Sequence, residues 1–202
     1  MIIRAAINIQ KLSLVAFIVW PWISAVSQVN LIPNPSFEDK IGCPEGLHQL
    51  YLCKDWEDVN SSIEYCHLCT SDSVYSLIVK QGTGQPPRTD SASVSFLINK
   101  GNVYREYLGA YINDALVEGK KYCFSARVSL CECSFYDVNR FEVLLTNMKP
   151  AQNSPLFPTF ILDSAQIVCR NYFVETVEYT HINDSFTAEG NERFLTIGIF
   201  SP

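Results

Sequence analysis

The sequence has 202 residues, a length that allows one ordinary domain and leaves little room for a second. Hydrophobic residues make up 48% of it and charged residues 18%, which provides material for a packed core and excludes a disordered chain. The net charge of -6 excludes a protein that binds nucleic acid through the phosphate backbone, because such proteins need a basic surface.

The first 27 residues have the pattern of a secretory signal peptide. Two basic residues precede the apolar run Leu12–Trp20, and the small residues Ala25-Val26-Ser27 follow it. We therefore expect cleavage after Ser27, a mature domain at 28–202, and a secreted or cell-surface location. No segment after the cleavage point is long enough to cross a membrane. A retained N-terminal anchor is the alternative.

Disulfide bonds are expected because the mature part carries an even number of cysteines in an oxidising compartment. The eight candidates are Cys43, Cys53, Cys66, Cys69, Cys123, Cys131, Cys133 and Cys169. A zinc site built from Cys66-x-x-Cys69 and Cys131-x-Cys133 is one alternative, but the second pair has the wrong spacing for a tetrahedral ion. A redox role for Cys66 and Cys69 is another, although no βαβ pattern surrounds them. The pairing cannot be chosen from the sequence.

Short β-strands are predicted where β-branched and aromatic residues cluster between turn-forming segments. The stretch 43–70 comes first and predicts a disulfide-stapled loop region with at most short helices or strands. The predicted strands then follow at 74–79, 93–98, 122–130, 141–145, 159–162, 172–179 and 194–200. The strand 122–130 alternates apolar and polar residues, as a half-buried strand does.

The segment from Arg105 to Leu116 fits two structures. Its apolar residues recur at helical spacing, but Gly109 weakens a helix, and Val117-Glu118-Gly119-Lys120 is a good turn into the next strand. We prefer a strand-turn-strand unit because of a family resemblance.

That resemblance begins at Val29–Asp39, which reads V-N-L-I-P-N-P-S-F-E-D. It is similar to the opening of jelly-roll carbohydrate-binding modules, of the form N-L-hydrophobic-x-N-x-x-F-E. Further similar stretches follow in order: Asp55-Trp56, Gly84-Gln85-Pro86-Pro87-Arg88, Arg105-Glu106-Tyr107-Leu108, Leu116–Tyr122 and Phe194–Gly198. The mature chain thus resembles the N-terminal galactose-binding-like jelly-roll modules of exported surface proteins of gliding Gram-negative bacteria.

The resemblance implies an all-β, jelly-roll-type β-sandwich with a disulfide-rich loop region. The family continues to a closing strand, whereas this chain stops at Pro202, so the last strand is expected to be missing. The family also implies a structural calcium with Glu38 as a ligand and a second ligand on the closing strand. No other cofactor is expected.

Catalysis has little support from the sequence. There is no G-x-S-x-G or H-E-x-x-H motif, so neither a serine hydrolase nor a zinc protease is indicated. The acids Asp55, Glu57 and Asp58 flank Trp56 and offer an extracellular hydrolase as an alternative, since glycoside hydrolysis needs two carboxylates. We favour Trp56 as a core residue with solvated acids beside it.

Glycan or protein binding at the cell surface needs only exposed aromatic rings and a few polar groups. The candidates are Tyr104, Arg105, Tyr107, Tyr111, Arg127 and Tyr136. The expected partner is a glycan or an envelope protein. A structural or adhesive piece of a larger envelope protein is the remaining alternative.

Overall fold

The computed structural model describes residues 2–11, 29–60, 62–71, 91–98, 105–131, 138–150, 165–170, 173 and 178–200. These residues contain ten β-strands and one short 3-10 turn at Leu50–Leu52. The strands are β1 Ile2–Lys11, β2 Glu57–Asp58, β3 Glu64–His67, β4 Ala92–Ser95, β5 Leu108–Tyr111, β6 Lys121–Ser129, β7 Phe141–Thr146, β8 Ile167–Cys169, β9 Thr180–Thr187 and β10 Phe194–Gly198.

The strands form two antiparallel five-stranded sheets. The first sheet has the order β3-β4-β1-β6-β9, and the second has the order β2-β5-β10-β7-β8. Residues from both sheets form one main core, which includes Val94 and Phe124 of the first sheet and Val143 and Leu195 of the second. The expected all-β, sandwich-like fold is confirmed, while the finer jelly-roll connectivity stays a prediction.

The long strand β6 has the alternation that its sequence predicted. Tyr122, Phe124, Ala126 and Val128 are buried, whereas the residues between them are half-buried. Since successive side chains of a strand point to opposite faces, one face of β6 lies on the core and the other lies toward solvent.

The segment after Arg105 is a strand-turn-strand unit, so the preferred prediction is confirmed and the helix is wrong. β5 and β6 are joined by a turn in which Gly119 has φ of 72°, a left-handed conformation that glycine adopts without strain. Gly109 lies in β5, and a Cβ atom there would lie 2.5 Å from the Phe194 ring. Close packing of β5 against its neighbour therefore requires glycine.

The second sheet also has a small apolar cluster on its outer face. Val59, Tyr107, Leu144, Phe194 and Phe200 form this cluster, separate from the main core. The central strand β10 and most of its neighbour β7 are consequently buried on both faces, and all five residues of β10 are buried. The outer cluster gives the second sheet a rigid base on the side away from the main core.

The cysteine-rich stretch is a loop region with short elements, as predicted. A disulfide joins Cys43 to Cys69, with the two Cα atoms 5.7 Å apart, so the alternatives that used Cys66 and Cys69 as a zinc or redox pair are wrong. Cys53 and Cys123 carry free thiols, which corrects the expectation that every cysteine is paired. Cys133 lies outside the described residues.

The Cys53 thiol is held inside the loop region. It accepts a hydrogen bond from Asn34 Nδ2 at 3.5 Å and donates to the Phe37 carbonyl at 3.7 Å. Burial raises the pKa of the thiol, against a smaller opposite effect of the Asn34 hydrogen bond. A buried, protonated thiol is a poor nucleophile, so Cys53 serves packing.

The other strand predictions had different outcomes. The strands predicted at 93–98, 141–145 and 194–200 are found, with slightly different ends. Those at 74–79 and 159–162 lie outside the described residues, as does most of 172–179. The strand β9 begins at Thr180, directly after the predicted strand 172–179. The polar sequence of β9 did not predict a strand.

The strand β1 comes from the stretch that the sequence pattern assigns to a leader. It lies in the middle of the first sheet and is antiparallel to both β4 and β6. The N-terminal segment therefore combines the pattern of a signal peptide with a central position in the sheet.

Candidate functional site

The six predicted binding residues are not brought together. Tyr104 and Tyr136 lie outside the described residues. Tyr111 belongs to the second sheet, and Arg127 to the first. Arg105 and Tyr107 lie just before β5 and are buried.

Arg105 and Tyr107 are structural in this protein, which corrects their choice as ligand-binding residues. The guanidinium of Arg105 donates to the Ile199 carbonyl at 2.9 Å, and the Tyr107 hydroxyl donates to the same oxygen at 3.0 Å. The Tyr107 ring is fully buried and stacks on Phe200, with ring centroids 5.3 Å apart. It has no free face for a sugar.

Arg127 lies on the solvent side of the first sheet. It is half-buried on β6, and its cross-strand partner on β9 is His181. His181 Nε2 lies 2.8 Å from Ser125 Oγ, so polar and cationic groups line this face. Because Arg127 and Tyr111 belong to opposite sheets, they cannot bind one small ligand together.

Tyr111 is the exposed aromatic residue that the structure supports best. It is 49% exposed at the end of β5, and its ring meets Phe194 edge to face, with centroids 4.8 Å apart and an angle of 77°. Phe194 is fully buried in the outer cluster. We call the Tyr111 and Phe194 rings the Tyr111 platform. The buried Phe194 ring holds the exposed Tyr111 ring in place.

A polar cavity lies at the end of the second sheet where Tyr111 is found. Phe194 pairs with Tyr111 on one side and with Thr146 of β7 on the other, so the three residues form one row across the sheet. Thr146 also lines a cavity of about 400 Å³, which we call the turn cavity. Its lining residues are Leu144, Leu145, Thr146, Asn147, Gln166, Glu189, Gly190 and Glu192.

The polar groups that line the turn cavity are of two kinds: those hydrogen-bonded within the protein and those available to a ligand. Glu192 is committed to the turn, because its carboxylate accepts the backbone N–H groups of Glu189 at 2.7 Å and Gly190 at 2.8 Å. Gln166 is committed to the Leu145 backbone through both its amide oxygen and its amide nitrogen. The exposed side chains of Asn147 and Glu189 make no hydrogen bond within the described part of the chain, so they are available to a ligand.

An ion pair lies close to the Tyr111 platform. Glu57 of β2 is the cross-strand partner of Gly109, which is two residues from Tyr111 and therefore on the same face of β5. The Glu57 carboxylate accepts from Lys149 Nζ at 2.7 Å. The apolar Tyr111 ring thus has a positively charged and a negatively charged side chain in its surroundings.

The acids near Trp56 do not form a catalytic pair over an aromatic ring. Trp56 is 3% exposed and donates through Nε1 to the Asn34 carbonyl, which confirms its expected place in the core. Asp58 accepts the backbone N–H groups of Asn60 and Ile63, both at 3.2 Å. With Glu57 held by Lys149, only the exposed Asp55 is left uncommitted among the three acids.

Glu38 lies in a polar cluster that the sequence did not predict. One carboxylate oxygen accepts the backbone N–H groups of Ser91 and Ala92 at 2.8 and 2.7 Å, and the other lies 3.6 Å from His67 Nε2. The Lys40 ammonium lies 3.0 Å from the same ring nitrogen. Glu38 thus closes the start of β4, and the Lys40 ammonium in the same cluster is a cation that a calcium site would not have.

His67 is held as a neutral ring in this cluster. Its Nδ1 accepts the Cys69 N–H at 3.0 Å, so a proton on Nδ1 would break that bond. Burial lowers the pKa of His67; Lys40 lowers it further, and Glu38 opposes the shift. Among the residues described, no three or more His, Cys, Asp or Glu side chains are grouped to hold a metal ion.

The sequence missed Phe194, Asn147 and Glu189 as members of a site. The turn sequence Glu189-Gly190-Asn191 was a usable signal, because both Gly190 and Asn191 take positive φ there. No local pattern relates this turn to Tyr111, which lies 78 or more residues earlier in the chain. Only the pairing of β10 with β5 brings the two close together.

Comparisons with known proteins return nothing for this chain: no family model, no curated protein and no solved structure matches it. Within the ranges that the structure describes, no helix has the length and apolar character needed to cross a membrane.

Proposed function

We propose that this chain is an exported, non-catalytic β-sandwich protein that binds glycans at the cell surface through the Tyr111 platform and the turn cavity. The observation that carries the proposal is the exposed Tyr111 ring held edge to face on buried Phe194. Pyranose rings present flat apolar C–H faces, so a fixed, exposed aromatic ring offers them a stacking surface without loss of side-chain freedom.

The turn cavity supports the same function by its chemistry. Sugar hydroxyls both donate and accept hydrogen bonds, and the uncommitted Asn147 amide and Glu189 carboxylate provide both roles. Thr146 lies two strands from Tyr111 in the shared row, about 10 Å away. That separation suits a chain of two or three sugar units lying across both features.

The cysteine content and the leader pattern support export. Disulfides such as Cys43–Cys69 form and persist mainly in oxidising compartments, and the two basic residues, apolar run and small residues of 1–27 fit a secretory signal. An envelope location follows from the resemblance to exported surface proteins.

Retention on immobilised polysaccharides and a glycan array tests the proposal with the purified exported protein. We expect Tyr111→Ala to weaken retention about tenfold or more, Tyr111→Phe to keep it, and Asn147→Ala and Glu189→Gln to weaken it less. Tyr51→Ala is the matched control, because Tyr51 is a tyrosine that is 66% exposed on the 3-10 turn, outside the site.

Three results would contradict the proposal. Retention on no glycan would favour a purely structural or adhesive role, and retention unchanged by Tyr111→Ala would move the site elsewhere. Turnover of a bound glycan that Asp55→Asn abolishes would favour the hydrolase alternative.

A further inference from the structure

The centre of the first sheet depends on a strand that export would remove. β1 pairs antiparallel with β6 along most of its length, from Ile2↔Ser129 to Lys11↔Tyr122. At its beginning it also pairs with β4, through Ile2↔Ser95 and Ile3↔Val94. All of β1 lies before the expected cleavage point at Ser27, so a cleaved chain leaves this position without its strand.

At residues 2 and 3 this position has a strand on each side, and an extended strand is the element that can pair with both. Adjacent strands lie about 4.8 Å apart, so β4 and β6 face each other across about 9.6 Å when the strand between them is absent. Their facing N–H and C=O groups then lack hydrogen-bond partners, which is costly beside a core. Val94 and Val128, which flank the position from the two sides, are fully buried.

We propose that the position between β4 and β6 is an acceptor site for an extended strand donated by another polypeptide, antiparallel to both, with apolar residues on its core face and an acidic residue opposite Arg127. The inference rests on the proposed export with cleavage after Ser27, and it names the kind of partner protein that the exported domain would bind. Strand addition of this kind supplies affinity through the backbone and specificity through alternate side chains.

The register of β1 defines the pattern that the donor needs. Positions 3, 9 and 11 lie opposite Val128, Phe124 and Tyr122, which are core residues of β6. Positions 4, 8 and 10 lie opposite Arg127, Ser125 and Cys123, the half-buried residues of the outer face. The native segment has isoleucine at 3 and 9 and polar residues at 4, 8 and 10, as this alternation requires, but it has lysine at position 11, opposite Tyr122.

A second position of the native segment also fits poorly. Arg4 lies directly opposite Arg127, and like charges facing each other across two strands are destabilising. Arg127 has His181 as its partner on the other side, so no carboxylate faces it there. A donor with glutamate or aspartate opposite Arg127 would replace a repulsive pair with an attractive one, which is why an acidic residue is assigned to that position.

The test begins with the mass of the protein recovered from a host that exports the full chain. A protein that starts after Ser27 is then titrated with a fluorescent peptide of residues 2–11 and with the same peptide carrying Arg4→Glu. We expect both peptides to bind and the Arg4→Glu peptide to bind about threefold more tightly, from the exchange of the cross-strand charge pair. A peptide carrying Ile3→Asp and Ile9→Asp is the control and should not bind.

Arg127→Gln in the protein separates the proposed register from general stickiness. In this variant the two peptides should bind equally, because the charge that distinguishes them is gone. The inference is overturned if the exported protein keeps residues 2–11, if neither peptide binds, or if the Arg4→Glu advantage persists in Arg127→Gln. Glycan retention by Tyr111 is on the other sheet, so its loss would leave these results unchanged.

Discussion

The two sheets differ in how much of their surface is covered. The second sheet has the main core on one face and the cluster around Tyr107 and Phe194 on the other, so its central strand β10 is buried throughout. In the first sheet β3 and β4 are also buried throughout, but β6 and β9 have one face on the core and one toward solvent. Strands packed on both faces are held by their own side chains, whereas strands with one open face depend more on their neighbours in the sheet.

This difference separates two tasks within a small domain. The proposed glycan site lies on the second sheet, where the outer cluster fixes the ring of Tyr111. The proposed strand-acceptor site lies in the first sheet, whose central strand comes from the N-terminal segment. Binding a rigid sugar calls for a preorganised surface, and accepting a strand calls for an unfilled hydrogen-bonding position.

The largest expected effect is on the outer cluster. Tyr107→Ala should lower the free energy of unfolding by about 3 to 5 kcal/mol, because it removes a fully buried aromatic ring and leaves a cavity. Denaturant unfolding measures the change. Tyr111→Ala, which truncates a half-exposed ring on the same sheet, is the control and should cost less than about 1 kcal/mol. Equal effects would mean that the outer cluster does not stabilise the second sheet.

The next effect concerns the disulfide beside β3 in the first sheet. Replacing Cys43 and Cys69 with serine should cost about 3 kcal/mol, since the bond closes a loop with a sequence separation of 26 and restricts the unfolded chain. Unfolding midpoints with and without reductant measure this cost.

Cys123→Ser is the matched control for the disulfide, because its thiol is free and half-buried on β6. It should change stability by less than about 1 kcal/mol. Peptide mapping that links Cys43 to a residue other than Cys69 would contradict the assignment.

A pH-dependent effect also belongs to the first sheet. The folded-state pKa of His67 is lowered, so the unfolded chain takes up a proton first as the pH falls. The contribution of neutral His67 is therefore present above the ordinary histidine pKa of about 6.5 and is lost as the pH drops through and below it.

The melting temperature should accordingly fall between pH 8 and pH 5, and His67→Gln should remove part of that slope. His181→Gln, which changes an exposed histidine on β9, should leave the slope in place. A slope that is identical in wild type and His67→Gln would show that protonation elsewhere controls acid stability.

The smallest expected effect is that of the ion pair near the Tyr111 platform. Glu57 and Lys149 are both more than one third exposed, so Glu57→Gln should cost below about 1 kcal/mol. The difference from wild type should shrink further in 1 M salt, where such charges are screened. A cost that is larger, and unchanged by salt, would assign Glu57 a structural role beyond the pair.

Alternation decided which strands could be read in advance. Strand β6 was readable because one face is buried and the other is not, and β7 and β10 were readable as apolar runs. Strand β9 was missed because only Ile182 and Phe186 of its eight residues are buried, and Asn183 and Asp184 favour turns. An edge strand with one solvent-exposed face shows little of the apolar pattern that sequence analysis detects.

The candidate site was found only in part for a related reason. Tyr111 was selected by residue type, and so was Tyr107, although one ring is exposed and the other is fully buried. The two tyrosines are four positions apart in the chain, and nothing local distinguishes them. The difference comes from Phe200 and Ile199, which reach Tyr107 from more than 90 residues away.

The sequence by itself determined the class of the fold, the strand at β6, the turn at Gly119 and the place of Trp56 in the core. These features depend on alternation, on backbone conformation and on side-chain size, all of which are local properties. Tertiary structure alone decided which cysteines pair, which tyrosine is exposed, and that the N-terminal segment occupies the centre of a sheet. Those outcomes depend on contacts between residues far apart in the chain, and such contacts form only when the strands have paired and the core has closed.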